Sequence, residues 1–303
     1  MLLLAAGSLA LAAGAGAVGG DVQTPNIFEP ASTPAEGVFD LSLLVLGICA
    51  TIFVVVGGLL AYTVARFRRR PGDDGREPPQ VYGSNQVEIA WTIVPMMIVL
   101  VLFLATTRTI LDLQRDERPA GWMEVVVTGH QWWWEIEYPE LGVTTANELH
   151  VPVGTGDDPR PVFITLQSAD VIHSFWLPRL AGKTDLVPNR QNHMWIEPWE
   201  PGLYVGQCAE YCGTQHANML LRVYAHAPDD FAQWAADQQR PAVEDASVRR
   251  GRDLFLRTAC INCHTVGGTV SDGTFGPDLT HLMSRETIAA GAANNKTATM
   301  LRA

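Results

Sequence analysis

The longest uninterrupted apolar run extends from Leu41 to Ala65, 25 residues without a charge. Roughly 20 helical residues suffice to cross a bilayer core, so this run predicts a membrane-spanning helix. A second uncharged run, Ile89–Thr107, predicts another, because Pro95 is tolerable where neighbouring helices re-satisfy the freed carbonyl. The alternative, a buried helix pair in a soluble core, does not explain why Arg66, Arg68, Arg69, Arg70 and Arg76 crowd between the runs. A membrane hairpin with that connection in the cytoplasm does, and it puts both chain ends outside. Beyond Arg108 the apolar period shortens to about two, with strands expected at Met123–Val127, Val162–Gln167, His193–Ile196, Leu203–Gln207 and Met219–Ala225, divided by Pro- and Gly-bearing turns. Within Gly129–Tyr138, alternation places Trp132, Trp134, Ile136 and Tyr138 on one strand face. This spacing predicts an antiparallel sandwich or barrel. Asp229–Gln239 then reads as a short helix, Arg240–Ser247 as a linker, and Val248–Phe255 as the first helix of a further helical unit.

Residues 1–20 resemble the apolar part of a secretion signal without its positive start, although a short membrane helix would share that composition. The expected organisation is therefore a possible signal remnant at 1–20, a loop and hairpin at 21–111, a β domain at 112–227, a short helix and linker at 228–247, and a small helical domain at 248–303. Charge supports the division. Residues 112–240 hold 18 acidic and 8 basic side chains, whereas 241–303 hold 6 and 7. The overall net charge of −11 argues against nucleic acid as a partner. Arg249, Arg250, Arg252 and Arg257, near the start of the last domain, are candidates for docking onto the acidic β domain, or simply a solvated helix face.

Four of the five cysteines form two tight pairs, Cys208/Cys212 and Cys260/Cys263, and Cys49 is expected to be a buried, inert thiol. Cys208-Ala-Glu-Tyr-Cys212-Gly-Thr-Gln-His216-Ala-Asn-Met219 offers two thiolates, an imidazole and a thioether within twelve residues. His173 is a further donor about 35 residues earlier. Thioether beside thiolate and imidazole favours copper, and ligand type alone leaves zinc open. The patterns Cys-x-Glu-x-Cys-x3-His-x2-Met, His173-Ser-Phe-x-x-Pro, Gly129-His-Gln-Trp-x-Trp and Val87-Glu-x-x-Trp-Thr-Ile-x-Pro resemble cytochrome oxidase subunit II over roughly residues 38–226. The resemblance implies a cupredoxin-like Greek-key barrel and a dinuclear copper centre. In it Cys208 and Cys212 bridge both metals, His173 and Met219 complete one, and His216 with the Glu210 carbonyl completes the other. It also implies Trp132 as the electron-input aromatic, the Glu210 side chain at a magnesium bordering subunit I, and Glu88 at the mouth of a proton path. Each of these last three has a plainer reading, as a core strand residue, a loop carboxylate and a helix-start carboxylate.

Cys260-Ile-Asn-Cys263-His264 has the spacing of covalent haem c attachment, with His264 as an iron ligand. Gly276-Pro-Asp-Leu279 resembles the loop that follows the haem in class I cytochromes. A Met-Pro loop for a second axial ligand and a closing helix are not found, so this domain reads as truncated; Met283 and Met300 are expected to pack rather than ligate. The resemblance as a whole implies an oxidase subunit in a bacterial membrane, working with subunit I and other oxidase subunits. Its redox domains would lie on the outer side, fed by an upstream quinol-oxidising complex or a cytochrome c. A quinol oxidase subunit shares the fold without the copper ligands, nitrous oxide reductase needs a large repeat domain that 303 residues cannot hold, and a copper-delivery protein has no use for covalent haem.

Overall fold

The computed structural model describes residues 25–295, apart from 70, 73–74, 76, 78, 81, 115–117, 119–121, 155–157 and 244. The possible signal remnant, Arg70, Arg76, Met300 and the last eight residues lie outside the described set.

The two apolar runs are helices α1 (Thr33–Phe67) and α2 (Asn85–Leu113), each long and apolar enough to cross a membrane. Pro34 opens α1 where its missing N–H costs nothing. Glu88 falls in the first turn of α2, and its carboxylate accepts the Ser84 N–H at 3.3 Å, a helix-start role. Cys49 is exposed on α1 rather than buried, because the helix pair by itself covers little of its own apolar surface. Both outer helix ends are pinned to the β domain. Thr33 Oγ1 donates to Glu197 (2.6 Å), Ser32 Oγ accepts from the Glu197 N–H (2.8 Å), and Trp195 Nε1 donates to the Leu113 carbonyl (3.0 Å).

The β domain contains β1 (Met123–His130), β2 (Trp133–Tyr138), β3 (Val143–Ala146), β4 (Glu148–Pro152), β5 (Val162–Ser168), β6 (His173–Trp176), β7 (Lys183–Leu186), β8 (Asn192–Ile196), β9 (Gly202–Cys208) and β10 (Leu220–His226). They form two five-stranded sheets, β3-β2-β1-β5-β8 and β4-β10-β9-β6-β7, in a cupredoxin-like sandwich. The expectation of a wholly antiparallel arrangement is corrected: β1 pairs with β5, and β4 with β10, in parallel. The strands of each such pair are far apart in sequence, and the intervening chain visits the other sheet before returning. Alternation fills the space between sheets with Val125, Val127, Trp134, Ile136, Leu149, Val151, Ile164, Leu166, Phe175, Leu221 and Val223, all essentially inaccessible. Trp132 does not share the face of Trp134, Ile136 and Tyr138, because the chain turns at Gln131–Trp132 and β2 begins only at Trp133.

Helix α3 (Pro228–Gln238) packs on the sandwich through rings. Trp234 stacks on His150 (4.3 Å between centroids), and His150 stacks on His226 with Nδ1 and Nε2 2.8 Å apart. Burial, then the neighbouring His226, holds the His150 pKa down to about 3, and burial lowers that of His226 against the pull of Asp230. A free histidine titrates near 6.5, so between about pH 6.5 and 3 the unfolded chain binds protons that folded His150 refuses, and stability falls as pH falls. Up to about 3 kcal/mol is expected to be lost by pH 4. Thermal midpoints measured across this range check it; His150→Phe, which keeps the stacking, is expected to flatten the slope, and an unchanged slope would refute the assignment.

Helix α4 (Arg249–Arg257) begins the last unit, which is not purely helical: β11 (Thr287–Ile288) and β12 (Ala293–Asn294) pair as a small hairpin. Met283 is exposed on a short 3₁₀ turn, so the expectation that it packs in a core does not hold. Ala290 is the one buried hydrophobic residue among the described residues 246–295.

Candidate copper centre and haem attachment site

The loop from Cys208 to Met219 joins β9 to β10, so a hairpin ladder holds both its ends. Leu220 pairs with Gln207, and the Cys208 N–H donates to the Met219 carbonyl at 2.9 Å. The second sheet neighbour of β9 brings in His173. Phe175 of β6 pairs with Cys208, and the Ala209 N–H donates to the Ser174 carbonyl, which sets the completely buried His173 ring over the loop.

The six expected copper donors meet there. Cys208 Sγ and Cys212 Sγ are 3.8 Å apart and not joined in a disulfide. His173 Nδ1 lies 4.0 Å from Cys208 Sγ; Met219 Sδ and His216 Nδ1 lie 3.8 and 3.7 Å from Cys212 Sγ; the Glu210 carbonyl accepts from Cys208 Sγ at 3.2 Å. Both sulfurs are thus central and the other four donors peripheral, the distribution a two-metal cage with bridging thiolates requires. Burial opposes ionisation of Cys208, but His173 and the surrounding backbone outweigh it and bring the thiol down to about 6. Burial and then the charge on Cys208 push Cys212 up to about 12. A cation between the sulfurs removes the repulsion that keeps Cys212 protonated, so this donor set suits bound metal better than a pair of thiols.

Surrounding residues hold the donors in place. Asp170 Oδ1 meets His173 Nε2 at 2.8 Å, turning Nδ1 toward the sulfurs, and Asp170 also accepts the Gln131 N–H (2.6 Å) and the Val171 N–H (2.6 Å). Burial raises the Asp170 pKa, but the His173 and backbone bonds more than offset it and hold the carboxylate ionised. Gln131 Nε2 and Trp132 Nε1 both donate to the Cys212 carbonyl, at 2.7 and 3.1 Å. Gly213 closes the contact: its φ of +123° would strain any other residue, and a Cβ there would press on the Trp132 ring at 3.0 Å. Sequence reading missed Asp170, Gln131 and Gly213. Gln131 stands in the Gly-His-Gln-Trp motif and Gly213 in the ligand loop, whereas the Asp170-x-x-His173 spacing was the available signal for the third.

Cys260 lies in a 3₁₀ turn that ends at Asn262, and Cys263 directly follows it; both thiols are free. His264 Nδ1 is 2.8 Å from the Pro277 carbonyl, which fixes the ring and leaves Nε2 for a ligand. In the same unit Leu254, Val270, Phe275 and Met283 are 63–81% exposed. A unit with so little buried apolar surface and such exposed apolar side chains lacks a core that a covalently attached porphyrin would supply, so the residues fit haem c. Trp132 borders the copper loop through its bond to the Cys212 carbonyl, and Glu210 lines a cavity of about 800 Å³ beside Asp185, His193 and the end of α2. Glu88 is far from both, at the other end of α2.

Comparison with known proteins agrees. Residues 22–107 match the cytochrome c oxidase subunit II transmembrane domain, 143–225 its periplasmic domain, and 248–302 the cytochrome c family. Cytochrome c oxidase subunit 2 of Alkalihalophilus pseudofirmus is 36% identical over 275 residues, covering 88% of this chain and 78% of that one. The same subunit of Bacillus sp. PS3 is 33% identical over 286 residues, with 88% and 79% covered. The crystal structure of the periplasmic domain of subunit II of cytochrome oxidase of Bradyrhizobium japonicum is 29% identical, covers 40% of this chain and 96% of its own, and superposes with a TM-score of 0.37. The chain belongs to the cytochrome c oxidase subunit II family and is a membrane-bound subunit of a haem-copper oxidase, with a cytochrome c module behind its cupredoxin-like domain.

Proposed function

We propose that this subunit carries electrons into a proton-pumping oxidase: haem c on Cys260, Cys263 and His264, and two coppers on His173, Cys208, Glu210, Cys212, His216 and Met219, supply one-electron chemistry for oxygen reduction in subunit I. The convergence of four further donors on two free thiols carries this reading. The sandwich holds both ends of the ligand loop and Asp170 holds His173, so the donors need not rearrange with oxidation state. Trp132, bonded to the Cys212 carbonyl, is the electron-input aromatic. The Glu210 carboxylate, at the helix–sandwich cavity, reaches a magnesium bordering subunit I, and Glu88 at the start of α2 lies at the cytoplasmic mouth of a proton path. The sandwich and haem module stand on the outer side of a bacterial membrane, Arg66, Arg68 and Arg69 on the inner side. The donor is a quinol-oxidising complex or a cytochrome c.

Metal analysis with optical and EPR spectra of the purified chain tests the reading. About two coppers and one haem per chain are expected, and zinc in the thiol site would overturn it. Met219→Leu is expected to retain copper while shifting the reduction potential, since a weak thioether tunes a centre more than it holds it; potentiometry of the variant checks this, and complete copper loss would contradict it.

A further inference from the structure

Glu148 opens β4, the edge strand of its sheet, yet only 2% of it is exposed. A buried carboxylate requires donors, and these come from the haem module. The Glu286 N–H donates to one oxygen (3.2 Å), while the Thr287 N–H and hydroxyl donate to the other (2.8 Å each). Burial raises the Glu148 pKa against the opposing pull of these bonds and of the nearby Arg285 charge. Two further bonds cross from the same segment to β10: Tyr224 Oη donates to the Glu286 carboxylate (2.9 Å), and the Leu220 N–H donates to the Ala290 carbonyl (2.9 Å). At the hairpin tip Ala289, Ala290 and Gly291 all have positive φ, and a Cβ on Gly291 would stand 3.0 Å from Leu220 Cβ. The turn is pressed against Leu220, one residue beyond the copper donor Met219.

We propose that the Glu286–Asn294 hairpin is a docking latch, anchored on Glu148, that fixes the haem module on the sandwich beside the copper loop. The module is then seated as well as tethered. Arg249, Arg250, Arg252 and Arg257 are exposed on α4. The two Thr287 bonds to Glu148 are buried, so salt barely weakens them. The geometry is independent of what the module carries, although its use in electron transfer rests on the proposed cofactors.

Hydrogen–deuterium exchange on the full chain tests the latch from both sides. In wild type the Thr287 and Leu220 amides are expected to be protected. Glu148→Ala, on the sandwich, is expected to speed exchange at Thr287 in the haem module by at least about tenfold. Gly291→Val, in the haem module, is expected to do the same to Leu220 in the sandwich, while amides of β1 and β5 stay unchanged in both. This reciprocal effect separates docking from local loosening. If Glu148→Ala fails to fold, Gly291→Val decides alone. Wild-type amides exchanging as freely as open loops, or a Leu220 amide indifferent to Gly291→Val, would overturn the proposal. Haem and copper content measured on the same samples keeps the two readings apart: protection without copper sustains the latch and refutes the assigned chemistry, and copper with haem but without protection does the reverse.

Discussion

Replacing Cys212 with serine is expected to remove both coppers and lower oxidase activity by roughly 100-fold or more, while leaving the sandwich folded. Cys212 Sγ is the donor nearest to His216, Met219 and Cys208 together, so its loss unmakes both halves of the cage at once. A serine hydroxyl is a poor substitute, being hard, neutral and shorter. The loop itself survives because what anchors position 212 is its carbonyl, which accepts from Gln131 and Trp132 whatever the side chain. The cost in stability is on the order of 1 kcal/mol, that of an ordinary buried substitution. EPR, copper analysis and circular dichroism on one preparation check the three parts. A persisting mixed-valence copper signal would refute the bridging role, and collapse of the β spectrum would show that the thiol serves the fold.

How much of this was legible in the sequence depended on how local each feature is. The spans were readable because uncharged runs of that length have few other uses, and the ligand loop and haem motif because they pack rare chemistry into short stretches. β3, β4 and β7 were not anticipated, although the equally short β8 was, because four or five residues give an alternation little room to stand out. The face of Trp134, Ile136 and Tyr138 was read correctly, but extending the same phase to Trp132 failed across a turn that alternation cannot see. Asp170 and Gln131 gain meaning only when β1 and β5 lie side by side, with Gly129 opposite Ser168. Glu148 is the extreme case, because its donors lie 138 and 139 residues downstream. Residues whose role is set by distant partners leave no local pattern to find.

The haem module poses the opposite dependence, of a fold on its cofactor. Changing Cys260 and Cys263 together to serine is expected to abolish covalent haem and leave residues 246–295 without stable packing, while the copper centre survives. Nothing within those described residues offers a substitute core: α4 buries no side chain, Ala290 is the single buried hydrophobic, and Phe275, Val270 and Leu254 are 65–81% exposed. A domain of this size is marginal even with a well-filled interior. The bonds to Glu148 retain one edge of the module, yet they order only the segment around Thr287 and cannot replace missing apolar burial. Limited proteolysis is therefore expected to cut the double variant first between Val248 and Asp278 and to spare the sandwich, whose interior owes nothing to the haem. Electron input through the module falls to background, whereas a reductant small enough to reach Trp132 still reduces the copper pair. A haem-stained band in the variant would refute the attachment site. A protease-resistant module without haem would show that residues 246–295 fold by contacts of their own.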